Sequence, residues 1–447
     1  MVELLTRDSS AQPEESVSRN LPTRWYLGAI WLAFLVHGAF YCHLIPLWEG
    51  FDEWGHYAFV EYLRLHGTLP LPSDDVTEEI HDSVESEPIR HEEVEPLKVF
   101  EAQQPPLYYW ILSVPNRIFI HTPISIRVHR LRLFSVLIAS LVIPLAYLAA
   151  LELFYSRAIA LSVCALIVSM PALMIDISRI GNESLSIAIA SWIILLLLRQ
   201  SQSVTGRLVG PPILAAAAFS GGSALGLALG LGLLTKAYFL AFIPVLLLRR
   251  RIYSLLVAIA IGGWWYWRNF RLTGTLTGEV TDVAVSKLGF AAKLAAIGKV
   301  HWLRVLDSAV WTHIWTGAWS FLTVRSWMYR VFEVVFLIVA IMVVLALARR
   351  PIGRFKGKLA LLCSLEALFA LGISYQSVLI FLAKNIMFAP GWYFYALVVA
   401  EALLLASGML LLVGRKRVLL AMGFLIALFV ALDVYTAIFV LARFYKR

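Results

Sequence analysis

The chain has 447 residues, 60% of them hydrophobic and 15% charged, with a mean hydropathy of +0.77. That is far more apolar surface than a soluble core of this length can bury, which excludes a soluble globular protein. The formal charge of +9 does not point to nucleic acid, because the basic residues stand in short clusters at the ends of apolar runs and form no basic helix or aromatic-basic platform.

Residues 1–22, rich in Ser, Glu and Pro, read as a disordered cytoplasmic tail that ends by residue 24. The first apolar run, Trp25 to Leu47, is too long for a signal-peptide core and lacks a small-x-small cleavage signal, so it is expected to remain as an anchor. Further runs at 131–154, 158–175, 184–199, 211–234, 237–248, 252–267, 331–348, 359–382, 393–413 and 418–441 suit helices crossing roughly 30 Å of hydrocarbon. The alternating segments of a membrane barrel are absent from the sequence. The expected fold is all-α and polytopic, with about eleven transmembrane helices (roughly 9–13). Cys42, Cys164 and Cys363 all fall in apolar segments and suggest neither a disulfide framework nor a metal site.

Pro105 to Ile120 is apolar but short and is interrupted by Pro115 and Arg117. If it lies along the outer surface, the clusters Arg249–Arg251, Arg349–Arg350 with Arg354, Lys356 and Lys358, and Arg415–Arg417 all face the cytoplasm, together with Arg199 and Arg207. Only Arg443, Lys446 and Arg447 then end outside. The chain thus divides into the tail (1–24), a membrane module (25–267) containing an acidic outer loop (48–130), a second, mildly basic outer loop (268–330), and C-terminal membrane helices (331–447). The acidic loop is expected to face the basic one.

Phe51-Asp52-Glu53-Trp54-Gly55-His56 opens an expected amphipathic surface helix with Phe51, Trp54, Ala58, Tyr62 and Leu65 on one side and Gly67 at its end. Asp52 and Glu53 lie four and three residues before His56, a spacing that sets carboxylate and imidazole on one face for a general base or half a metal site. Alternatively the two acids are N-terminal helix charges. Glu101 and Gln104 precede a second surface helix with Pro105 and Pro106 at its start. Tyr108, Tyr109 and Trp110 are expected at the headgroup interface. Asp176, Arg179, Asn182 and Glu183 cluster at an outer hairpin, either binding a ligand or merely solvated. Lys236 interrupts an apolar stretch and would be offset by an anionic ligand or by snorkelling. Trp264 to Asn269, followed by Arg271, gives either an interfacial anchor or a phosphate clamp. Gly222, Gly226 and Gly230 indicate close helix packing.

Taken in order, Asp52-Glu53 with His56, Gln104 to Tyr109, Arg179 to Glu183, Trp265-Tyr266 with Arg268-Asn269, and Gly391-Trp392-Tyr393 resemble the polyprenyl-phosphate-dependent glycosyltransferases of the GT-C superfamily. That group includes protein O-mannosyltransferases and aminoarabinose transferases, and the resemblance covers roughly residues 25 to 415. It implies that Asp52 acts on the acceptor. It departs from the family's pattern at Gln104, Glu183 and Trp392, where lysine, aspartate and arginine are usual.

The expected activity is transfer of a sugar from a polyprenyl-phosphate donor to a hydroxyl of a lipid, glycan or protein acceptor at the outer face of the plasma or inner membrane. Asp52, Glu53 and His56 are the expected catalytic group. Glu101, Gln104, Tyr108, Tyr109, Arg179, Asn182, Glu183, Lys236, Arg268, Asn269, Arg271 and Tyr393 are the expected binding residues. No cofactor is expected, although His56 with Glu101 offers ligands for a divalent cation. A transporter or flippase of a lipid-linked solute, or a non-catalytic membrane subunit, is the competing reading.

Overall fold

A computed structural model of the protein describes residues 23–86, 97–200, 212–348 and 353–446, the side chains of 212–221 excepted. The expected tail at 1–22, the acidic residues Glu87, Glu92, Glu93 and Glu95, and the cations Arg207, Arg349, Arg350 and Arg447 lie outside the described residues.

The first half comprises α1 (Thr23–Leu44), α2 (Glu53–His66), α3 (Glu78–Glu85), α4 (Leu107–Ile118), α5 (Ile124–Ala139), α6 (Val142–Phe154), α7 (Arg157–Ser169), α8 (Pro171–Ile177), α9 (Glu183–Gln200) and α10 (Pro212–Leu233). A 3₁₀ turn (Ala237–Ala241) leads into α11 (Phe242–Leu248), and α12 (Ile252–Thr273) carries the chain into a loop with α13 (Val280–Ala284), α14 (Phe290–Ile297) and α15 (Trp302–Ile314). There follow α16 (Ser326–Ala348), α17 (Arg354–Lys384), a 3₁₀ segment (Gly391–Leu397), α18 (Val398–Val413), α19 (Val418–Tyr435), a π-helical stretch (Thr436–Leu441) and α20 (Ala442–Tyr445). Extended pairing among the described residues is limited to the bridges Asp75–Lys98 and Gly317–Leu322.

The chain is an all-helical, multi-pass membrane protein. Among the described residues, seven helical stretches are long and apolar enough to cross a bilayer, or eight if the bent pair α7 and α8 is one span. The expected count of eleven is not confirmed on length and apolarity among the described residues, although helix occupies every expected segment. The 237–248 helix is short, α12 runs into the Trp- and Arg-rich sequence 264–271, and α10 has the length of a span at 22 residues, although the side chains of its first turns lie outside the described ones.

Local chemistry explains the breaks. Pro171 cannot donate to the preceding turn, and α7 and α8 meet there at 66°. The α5–α6 junction at Ser140–Leu141 precedes Pro144, and Trp31 Nε1 donates to Ser140 Oγ at 3.0 Å. The glycine repeat packs α10 against α12: a Cβ at Gly226 would lie 2.7 Å from the Ser254 carbonyl oxygen, and one at Gly230 2.7 Å from Ile261 Cβ. Asp433 ties α19 to α1, accepting from Tyr41 Oη at 2.6 Å and lying 3.1 Å from His37 Nε2.

By alternation of helix direction, α6 and α9 end where α7 and α17 begin, and there Glu152 meets Arg199 at 3.2 Å and Lys358 at 4.0 Å. Arg157, Arg249–Arg251, Arg354 and Arg415–Arg417 belong to this basic end. The opposite, polar end carries the 45–52, 97–106, 178–182 and 234–236 connections.

Helix α2 differs from the expected surface helix. It is buried on most of its circumference, from Gly55 to Leu63, while Leu65 is 47% exposed. Phe100 covers Gly55, and Phe59 stacks on Tyr109 of α4 at 4.0 Å. Tyr108 and Tyr109 are likewise buried inside the protein, whereas Trp110 is 38% exposed. The acidic and basic loops face each other, joined by Arg268 on the Pro70 carbonyl, Gln104 on Glu279 and Ser320 on Glu49, while the ion pairs of the acids are made elsewhere: Glu61 and Glu79 face Arg127, Glu53 binds Arg132, and Asp75 binds Lys98.

Candidate functional site

The polar end converges on a buried cluster drawn from six chain segments. Pro171 bends α8 so that Asp176 and Arg179 turn inward over the start of α9. Arg179 Nη2 donates to Asp176 Oδ1 at 2.9 Å and lies 3.0 Å from Glu183 Oε2, while Nη1 donates to the Phe51 carbonyl at 2.7 Å. Lys236, which caps the descent into the 3₁₀ turn, pairs with Glu183 Oε1. Its ammonium also lies 4.8 Å from the Tyr393 ring centre and 5.6 Å from that of Tyr238. A buried cation so placed is stabilised by both the carboxylate and the aromatic faces. Two cations thus share Asp176 and Glu183.

The 101–107 connection forms a second wall. Asn182 Nδ2 donates to Gln104 Oε1 at 3.1 Å and to the Thr235 carbonyl at 3.0 Å, and Gln104 Nε2 donates to Glu279 Oε1 at 2.9 Å. Asn269 holds the same connection from α12, donating to the carbonyls of Gln103 at 2.9 Å and Thr277 at 2.8 Å. Glu101 is 6% exposed. Burial pushes its carboxyl well above the usual range, helped by Asp52 and Glu279 and opposed by Lys236. Glu279 is raised likewise, first by burial, with Lys236 opposing and Asp52 adding to the rise.

Asp52 and Glu53, adjacent in sequence, diverge. Asp52 sits in the left-handed region at φ 52°, half-buried, as the residue before α2. Glu53 turns the other way, where Arg132 Nε donates to Oε1 at 2.7 Å and Ile180 N donates to the same oxygen at 3.0 Å. Arg132 also caps the carbonyls of Ile45 and Pro46 at the end of the first span, at 2.6 and 2.8 Å. His56 shares a 2.8 Å hydrogen bond between Nδ1 and Tyr109 Oη, and burial pulls its imidazole down to about 3. It is therefore neutral at physiological pH. Tyr108 Oη shares a bond of 2.7 Å with Ser135 and accepts from Gly181 N at 2.9 Å, which locks the hairpin before α9.

The structure thus brings together Asp52, His56, Glu101, Gln104, Tyr109, Arg179, Asn182, Glu183, Lys236 and Tyr393. Tyr108 and Asn269 brace the walls. Arg268 lies flat on Trp265 at 4.5 Å and donates to the Pro70 carbonyl at 2.7 Å, while Arg271 is exposed over Trp267, 6.0 Å from its ring centre. Neither guanidinium reaches the cluster. Glu279, absent from the sequence-based set, does; the one available signal was a carboxylate following Gly278 in a mildly basic loop.

Glu101 Oε2, Asp176 Oδ2, Arg179 Nε and Asn182 Oδ1 are buried without a hydrogen-bond partner among the described residues, and Glu183 Oε2 has only its ion pair with Arg179. Native interiors leave few such atoms, and a group of them in one place marks a site built for a ligand or for water. Metal-ligand side chains come within 4.8 Å of one another as a trio only at His81, Asp82 and Glu85 among the described residues, with the two acids exposed on α3.

No protein-family model matches the chain, and no curated protein matches it. Among solved structures it is similar to ArnT from Cupriavidus metallidurans bound to undecaprenyl phosphate, at 15% identity and a TM-score of 0.49, over 87% of this chain and 60% of that one. It is also similar to the archaeal oligosaccharyltransferase AglB from Archaeoglobus fulgidus in complex with an inhibitory peptide and a dolichol-phosphate, at 16% identity and a TM-score of 0.49, over 94% of this chain and 55% of that one. The chain spans less than two thirds of the length of either protein.

Proposed function

We propose that the protein is a membrane glycosyltransferase that moves a sugar from a polyprenyl-phosphate donor to an acceptor hydroxyl at the outer face. The observation that carries this reading is the group of unpartnered buried polar atoms around Arg179, Glu183 and Glu101, beside Lys236 and Asp52. A cluster that costs so much desolvation is retained for the ligand that completes it. The positive-inside rule supports an outward-facing polar end, where lipid headgroups lie.

In the proposed reaction Asp52 accepts the proton of the acceptor hydroxyl as its oxygen bonds to the anomeric carbon. The bond from that carbon to the phosphate oxygen breaks, and the lipid phosphate leaves with the electron pair. Lys236, its ammonium 4.8 Å from the Tyr393 ring centre, receives the phosphate; only one of the three ammonium donors is directed to Glu183. Glu101, kept protonated, donates a hydrogen bond to the sugar or phosphate. Glu53 positions Asp52 by anchoring the start of α2 to Arg132. No metal takes part in the proposed step.

The test is an assay of the purified protein against a small panel of polyprenyl-phosphate sugars, reading release of free lipid phosphate. The wild type releases lipid phosphate from at least one donor, and Lys236→Met lowers kcat/KM for that donor by about 10²-fold or more. A folded wild type that releases none from any donor contradicts the proposal, as does a Lys236→Met enzyme with full activity.

A further inference from the structure

Arg443 and Lys446 close the chain's last helix at the polar end, against the positive-inside tendency, and no salt bridge engages either among the described residues. They stand at the rim of a groove of about 620 Å³ between the last turn of α1 and the α19–α20 stretch, which shares no residue with the polar cluster. Its floor is apolar: Phe40, Leu44, Ile438 and Ala442 line it. Phe40 is 49% and Ile438 54% exposed, so the groove opens sideways to where acyl chains lie. From Ile438 to Lys446 the chain climbs about 12 Å, which carries the lining from hydrocarbon depth up to headgroup depth.

The groove is held open by bonds on either side of it. Below, Asp433 fixes α19 to α1 through Tyr41 and His37. Above, Tyr445 Oη donates to Glu49 Oε2 at 3.0 Å, which ties the last helix to the connection leading to Asp52. The π-helical stretch at Thr436–Leu441 lies between these two anchors, a local irregularity that recurs at functional sites.

We infer that this groove binds one anionic glycerophospholipid, its acyl chain along Phe40 and Ile438 and its headgroup phosphate on Arg443 and Lys446. The volume fits a lipid-sized ligand, the floor matches an acyl chain, and two cations without carboxylate partners among the described residues match a phosphate. A zwitterionic lipid would bring its own cation to the same place and gain less. The site goes beyond the proposed transferase activity and does not depend on it.

The test uses full-length protein in mixed vesicles of dioleoyl phosphatidylglycerol and dioleoyl phosphatidylcholine. The protein is extracted in detergent, and the retained lipid is quantified. The wild type retains phosphatidylglycerol in about thirtyfold excess, the order expected of two interfacial cations. The excess shrinks at high salt and is lost in Arg443→Gln/Lys446→Gln, while Ile438→Trp, which fills the groove, reduces retention of both lipids. Equal retention by the wild type, an excess indifferent to salt, or an excess unchanged in a folded double variant overturns the inference. So does a dimer that dissociates on Ile438→Trp with lipid retention unchanged, because the groove is then an interface between copies. If the double variant does not fold, Arg443→Gln and Lys446→Gln taken singly decide the matter: each is expected to remove part of the excess, and an excess unchanged in both overturns the inference.

Discussion

Two carboxylates next to each other in the sequence meet opposite fates. Glu53 is fully buried, and Arg132 and the Ile180 amide saturate it. Removing one charge of such a pair strands the other in a low-dielectric interior, so Glu53→Gln or Arg132→Met is expected to destabilise the protein by about 3–5 kcal/mol, read as a lowered thermal midpoint in detergent, with the double replacement recovering part of it. Glu101 carries the opposite prediction. Its folded carboxyl is raised above its unfolded value by burial, Asp52 and Glu279, so the folded chain holds a proton that the unfolded chain releases once pH exceeds roughly 4.5. Stability from this group is therefore lost as pH rises, and Glu101→Gln, which needs no proton, is expected to raise the thermal midpoint at pH 8 and leave it nearly unchanged at pH 4. The residue types of the cluster were legible in the sequence because acids, Lys236 and Arg179 interrupt apolar runs. Their pairing was not: nothing local distinguishes Glu53, whose partner is 79 positions away, from Asp52.

At the scale of elements, prolines and glycines did the most to make the fold legible. Gly67 ends α2 with a left-handed residue at φ 66°, as its position suggested, and Pro171 sets the bend that turns Asp176 and Arg179 inward. Gly391 has a stricter role. A Cβ there would sit 1.8 Å from the Ala309 carbonyl oxygen and 2.6 Å from His313 N, because the segment carrying Tyr393 is zipped to α15 through Thr312 Oγ1, which accepts from Gly391 N at 2.8 Å. Gly391→Ala must push these backbones apart, a change that costs about 1–3 kcal/mol. Because it moves Tyr393, it is expected to lower donor turnover more than it lowers the thermal midpoint, which parallel melts and assays would separate. The helical period of α2 misled about its surroundings: apolar spacing revealed a helix, but burial on nearly all sides comes from Phe100 and α4, contacts that no local window contains.

Across the whole molecule, charge sorts to two ends. One holds the arginine clusters and Glu152; the other holds the cluster around Glu183. Hydropathy made the multi-pass fold plain, but the number of spans was less secure, because short helices such as 237–248 and the aromatic α12 fall between a crossing helix and a packed interior one. Asp52 is the proposed base, serving a lipid-phosphate donor at the polar end. Asp52→Asn should bind the donor within about twofold of the wild type yet release lipid phosphate at least about 10²-fold more slowly under acceptor-saturated, single-turnover conditions. Release at the wild-type rate by a folded Asp52→Asn protein would contradict that role.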